Sequence, residues 1–270
     1  MIRYVRAVLA LQALWVLLSR PDMPSLLTWP AGFFAGVSSE AMLRFGIGLL
    51  PPAGEWLLWI VLHAALILAA FGVRPRITCA VAGLLLYHFA PFEELIAGNP
   101  HTFFGGLTTS VLGLLTLAFF PEERWTVPFV RLLFSFNYFC AFLAKMRFSG
   151  PKWFTAGNIR QWCIVNWHFT QPPLALWVAN SITACWLIAI GTLLVESLFP
   201  LTAISRRARR VLAPLAALGH VGIVLTLGIW FPGFPLLLLY VDAVPWRGTE
   251  SEPRPDVAPQ PDEQPDRAYA

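Results

Sequence analysis

Charge is scarce in this sequence: Asp, Glu, Lys and Arg make up 13% of its 270 residues, against 57% hydrophobic ones. Soluble domains carry about 25% charge, so a fully water-facing surface is excluded. Cysteine is scarce too, and Cys79, Cys140, Cys163 and Cys185 lie scattered with no CxxC pair, which points to neither a zinc site nor a disulfide scaffold. No GxGxxG, Walker, HExxH or GxSxG motif occurs, so nucleotide binding, zinc proteolysis and serine hydrolysis have no footing. A convincing internal repeat is also missing, which ranks a transporter built from paired halves last among the function classes.

The net charge of +4 does not describe a nucleic-acid footprint. Residues 247–270 hold 3 basic and 6 acidic residues, a net of −3, which leaves +7 on the remaining chain. That surplus belongs to membrane topology.

What the sequence has in abundance is long apolar runs, with a mean hydropathy of +0.64. A bilayer core about 30 Å thick takes roughly 20 apolar residues as a helix, with every backbone group paired inside it. Runs of this kind cover residues 4–18, 56–73, 77–90, 103–120, 127–146, 174–199 and 211–231. The first follows Arg3 and Arg6 without a small-residue cleavage site and reads as a retained anchor helix. After the breaker Phe231-Pro232-Gly233-Phe234-Pro235, a short run from Leu236 to Val244 is either re-entrant or a partial span. Residues 33–50, interrupted by Glu40 and Arg44, suit an interfacial helix. Residues 148–173 mix Trp153, Trp162 and Trp167 with basic and amide side chains, as an interfacial cap does.

The expected fold is all-α, a polytopic integral membrane helical bundle of about six to eight transmembrane helices over residues 1–246. Residues 247–270, rich in Pro and acidic side chains, form a disordered tail. Basic residues orient the bundle: Arg3, Arg6, Arg74, Arg76, Arg124, Arg206, Arg207, Arg209 and Arg210 on one side outnumber Arg20, Arg44, Lys145, Arg147, Lys152 and Arg160 on the other. The positive-inside rule then puts the N-terminus in the cytoplasm, as in a multi-pass protein of a bacterial inner membrane.

Ionisable groups at membrane depth are expensive and therefore informative. His63, His88, Lys145, Glu196 and His220 fall in or at the ends of the runs. Each also has a bland reading, in which a histidine bonds a neighbouring helix, a lysine snorkels and a glutamate neutralises nearby basic groups. Lys145 stands apart through its aromatic surroundings and the nearby Trp153. Desolvation disfavours an ammonium there, which would make the amine a base, while a snorkelling interfacial cation is the other reading.

The segment from Tyr138 through Lys145 and Met146 to Trp153 and Gly157 resembles the "YF-AG-KL … W--G" signature of the vitamin K-dependent gamma-carboxylase family, which includes the bacterial horizontally transferred transmembrane (HTTM) proteins. Upstream, Asn99-Pro100-His101-Thr102 and, after an apolar run, Arg124-Trp125-Thr126 are similar to a second block of that family. Downstream, Gly219-His220-Val221-Gly222 and Gly228-Ile229-Trp230-Phe231-Pro232 resemble a third.

The resemblance implies an HTTM-like bundle using a reduced quinone, with Lys145 as the base that deprotonates it and His101 as the second active-site group. His220, Tyr138, Asn99, Trp153 and Glu196 are the further candidates for the substrate cavity. A short acidic tail in place of a large C-terminal domain points to a small or lipidic acceptor, and so to an epoxidase-like or carboxylase-like oxidoreductase. The expected partners are the lipid bilayer and the quinone, with no metal, nucleotide or nucleic acid. A reading from another class is a non-catalytic membrane subunit that anchors a partner protein, its polar residues serving as helix glue. Convergence of Lys145, His101 and His220 on one cavity would separate the two.

Overall fold

The computed structural model describes residues 1–19, 50–96, 107–121, 123–231 and 233–243, and all its regular structure is helical. In chain order the α-helices are α1 (Ile2–Leu18), α2 (Pro52–Phe71), α3 (Pro75–Ile96), α4 (Thr108–Phe119), α5 (Glu123–Phe148), α6 (Ala156–Thr170), α7 (Ala175–Ala179), α8 (Ile182–Leu198), α9 (Leu201–Ile204) and α10 (Arg206–Leu227). Two 3-10 helices, Gly150–Phe154 and Phe234–Ala243, complete the set. The sequence-predicted segment 33–50, the residues 97–106 around His101 and Asn99, and the tail 247–270 lie outside the described residues, apart from Leu50.

Among the described residues, three helices are long and apolar enough to cross a membrane: Pro52–Phe71, Arg124–Phe148 and Arg206–Leu227. Only 22 to 33% of their apolar windows is buried inside the protein. The outward remainder, with side chains such as Leu57, Ile60, Phe136 and Leu218 more than half exposed, is a surface for hydrocarbon and not for water. The expected membrane character therefore stands on these three helices, with α4 and α8 as shorter apolar companions.

Helix α1 forms the axis of the main core, where Val5, Leu9, Ala13 and Leu17 are wholly buried. Their spacing of four keeps one stripe turned inward. Arg6 Nε donates to the Ala69 carbonyl at 2.7 Å, so the start of α1 lies beside the end of α2 and the two run antiparallel. Gly72, in the left-handed region at φ 81°, then turns the chain into α3. Glycine suits that conformation, and a Cβ there would also displace the Arg6 guanidinium, whose Nη2 lies 2.3 Å from its position. Small residues set the remaining approaches: a Cβ on Gly83 of α3 would meet Leu115 of α4 at 2.7 Å, and one on Gly113 of α4 would meet Leu9 at 2.7 Å and Val130 of α5 at 3.5 Å. Close contact through small residues is how helices pack where lipid removes the hydrophobic drive.

The predicted run 174–199 is not one span. It breaks at Asn180, and Ser181 accepts a hydrogen bond from the Ala184 amide at 3.2 Å to cap α8 as a new helix. The interfacial cap expected over 148–173 is itself largely helical, as α6. With α7 and α8 it builds a second, smaller core of Ile159, Cys163, Ala175, Val178, Ala179, Cys185 and Ala189. Phe234–Ala243, within the stretch expected to be re-entrant or a partial span, is a 3-10 helix of 10 residues, which at about 2.0 Å per residue reaches roughly 20 Å. Leu236, Leu239 and Tyr240 bury against the main core. Its carbonyls are answered from other helices, Leu238 by the Tyr4 hydroxyl at 2.9 Å and Leu239 by Arg131 Nε at 2.9 Å. Such outside donors let a poorly bonded helix type persist without water.

Candidate functional site

One face of α5 carries both Tyr138 and Lys145. Seven residues make two helical turns, so both side chains project the same way about 10 Å apart. Opposite them stand the end of α8, the middle of α10 and the 3-10 turn after α5.

Lys145 does not point outward to headgroups. Its Nζ donates to Glu196 Oε1 at 2.6 Å, and both side chains are largely buried, at 20% and 13% exposure. Nζ also sits 5.2 Å from the centre of the Trp153 ring, within cation–π reach. The three sequence candidates Lys145, Glu196 and Trp153 thus form one cluster. It is only half satisfied, because Glu196 Oε2 is buried without a hydrogen-bond partner among the described residues.

Two turns further in, the Tyr138 hydroxyl and His220 Nε2 are 2.7 Å apart. The Tyr138 ring stacks on Phe199 at 4.0 Å between centroids and 20° between planes. Phe134, Phe199 and Tyr240 continue this aromatic wall toward the bundle centre. The His220 ring is flanked by Phe231 at 5.4 Å and Phe234 at 5.6 Å. Its Nδ1 is buried without a partner among the described residues. If the phenol donates to Nε2, Nδ1 carries the ring proton, and a donor is left unanswered.

Beside His220 lies a cavity of about 110 Å³, lined by Val221, Val224, Leu225, Trp230, Phe231 and Phe234. The lining is apolar apart from the His220 ring and the indole N–H of Trp230, which is 60% exposed at its edge. This is a small half-open notch.

The remaining candidates fall elsewhere. His101 and Asn99 lie outside the described residues. His63 Nδ1 is 2.8 Å from the Trp59 carbonyl in its own helix. His88 is tied to Glu55, with Nε2 at 3.0 and 3.3 Å from the two carboxylate oxygens. No group of three or more potential metal ligands occurs among the described residues.

Sequence reasoning passed over Glu55, Arg131 and Gln12, all buried. Glu55 sits in the first turn of α2, where the helix dipole favours a carboxylate, and it accepts from the Leu50 amide at 2.8 Å. Arg131 lies inside the fifth apolar run, where an isolated arginine is itself a signal. It supports the 3-10 helix, and the Tyr240 hydroxyl donates back to its carbonyl at 2.9 Å. Gln12 accepts from the Ser110 hydroxyl, and an adjacent bond of 2.9 Å runs from Asn137 to Thr109. These polar contacts join α1, α4 and α5.

Comparison with protein-family models, with curated proteins and with solved structures finds no match.

Proposed function

We propose that this chain is a membrane-embedded oxidoreductase of the vitamin K-dependent gamma-carboxylase type, an HTTM-like bundle of six to eight spans, in which Lys145 serves as the base toward a reduced quinone. The observation that carries the reading is the position of Lys145: inside the bundle, in ion-pair contact with one carboxylate, and on the same helix face as a tyrosine–histidine pair. A base protected from bulk water, reached by an apolar substrate through the bilayer, matches this placement.

The reduced quinone would supply electrons for oxygen and a weakly acidic hydroxyl. Glu196 holds the ammonium of Lys145 at rest. Passing that proton to Glu196 would free the amine of Lys145 to take a hydroxyl proton from the substrate. Tyr138 and His220 order the wall of the site, and Trp153 covers the lysine. On the resemblance, His101 is the second group of the site. The cell location that goes with this reading is a bacterial inner membrane, with the N-terminus in the cytoplasm.

A second reading rests on the same ion pair. Lys145 already neutralised by Glu196 fastens α5 to α8, as expected of a non-catalytic membrane subunit that anchors a partner protein. Oxygen consumption by the purified protein in nanodiscs, with a panel of reduced quinones, separates the two. Quinol-dependent uptake that disappears in Lys145→Ala while the helical circular dichroism spectrum is kept supports the enzyme. Absence of turnover with every quinol supports the subunit.

A further inference from the structure

Nine arginines gather at one end of the bundle, and the helix directions place them there. Arg3 and Arg6 open α1, Arg74 and Arg76 sit where α2 turns into α3, Arg124 opens α5, and Arg206, Arg207, Arg209 and Arg210 open α10. The bond from Arg6 to the Ala69 carbonyl joins the first two groups. The Tyr4 hydroxyl donates to the Leu238 carbonyl and the Tyr240 hydroxyl to the Arg131 carbonyl, which brings the early turns of α1 and α5 to the same end. Tyr138 lies fourteen residues after Arg124, and His220 fourteen after Arg206. Because these two side chains are bonded at 2.7 Å, both arginines start about 21 Å back along their helices. Helix α10 runs with α5 and not against it, since Trp230 beyond its end meets Trp15 near the end of α1.

Arg6 is engaged within the protein on the Ala69 carbonyl and Arg209 on the Thr202 carbonyl at 2.8 Å, and Arg210 also has a partner. Arg3, Arg74, Arg76, Arg124, Arg206 and Arg207 are exposed. Among the described residues, no ion pair engages Arg3, Arg74, Arg76, Arg124, Arg206 or Arg207. The first turn of α10 has no acidic residue, so its arginines add to the positive end of the helix dipole instead of opposing it. An anion from outside relieves that repulsion.

The surroundings identify the anion. Phe71, Phe119, Phe120 and Trp125 are 65 to 83% exposed at this same end, and Arg124 lies 5.4 Å over the Trp125 ring. Exposed aromatics beside cations mark the headgroup level of a bilayer. Guanidinium groups fit phosphate oxygens with paired hydrogen bonds.

We propose that this end of the bundle is a docking surface for anionic phospholipid headgroups, held by Arg206 and Arg207 together with Arg74, Arg76 and Arg124. The assignment does not depend on the enzymatic reading. Purified full-length protein, reconstituted into mixed phosphatidylcholine–phosphatidylglycerol nanodiscs and re-extracted, should retain phosphatidylglycerol above its bulk fraction by mass spectrometry. Retention should fall about fivefold for each exposed arginine lost, as in Arg206→Gln/Arg207→Gln and Arg74→Gln/Arg76→Gln. High salt should weaken it, and Arg206→Lys/Arg207→Lys should keep most of it. Matching circular dichroism spectra confirm that the variants are folded. Lipid recovered at the bulk ratio from the wild-type protein overturns the proposal, as does enrichment that survives in both glutamine variants.

Discussion

Lys145 is defined by its partner. Had Glu196 been absent, a lysine so near the end of α5 would have reached for water. Paired at 2.6 Å, it is instead one half of a buried ion pair, and removal of either half strands the other. Lys145→Ala and Glu196→Gln should each cost about 2 kcal/mol, and the double variant less than their sum by about 1 kcal/mol. A double-mutant cycle of denaturant midpoints in detergent measures that coupling, and strict additivity would mean that the pair is not formed. Tyr138→Phe keeps the stack on Phe199 but removes the bond to His220, so a loss of about 1 kcal/mol is expected. His220 would then have neither ring nitrogen bonded to a described group. The ion pair was not legible in sequence, because Lys145 and Glu196 are fifty-one residues apart and no local pattern links them. Lys145 itself was legible, since a lone cation on an aromatic helix already breaks the composition around it.

Elements depend on local rules that the sequence states openly. Ser181 and Ser205 each accept a bond from the amide three residues on, at 3.2 Å in both cases. Ser205→Ala should cost about 1 kcal/mol, read as a lower Tm. Helix approach is the other element-level variable. Gly83→Ala forces a methyl into Leu115 at 2.7 Å with backbone only 3.2 Å away, so a penalty of about 1–3 kcal/mol is expected from overpacking. The same change at Gly191, where a Cβ meets nothing within 4 Å, should be neutral or slightly favourable, and comparing the two melting curves checks the contrast. The break at Asn180 escaped hydropathy because the residues on both sides are apolar. Only a serine positioned as a cap announced it, and a serine in an apolar run has several readings.

At the scale of the whole molecule, the protein has a large core around α1 and a smaller one among α6, α7 and α8. A smaller core gives fewer buried contacts to lose on opening. Amides of α6 and α7 should therefore exchange with deuterium earlier than those of α1 and α4 in detergent micelles, which hydrogen-exchange mass spectrometry reads directly. Synchronous exchange would mean that the two cores open as one unit.

Helical character and long apolar stretches were legible in the sequence alone, because both follow from composition and run length. The grouping of arginines by loop was likewise available from spacing, and the helix directions place the same nine at one end. Tertiary structure decided the rest: that Lys145 meets Glu196 and Trp153, that Tyr138 meets His220, that Glu55 meets His88, and that residues 234–243 coil as a buried 3-10 helix. Each of these depends on which helix faces which across the bundle. Helical phase within a nearly uniform apolar sequence carries little contrast, so facing partners become visible only when the helices are packed.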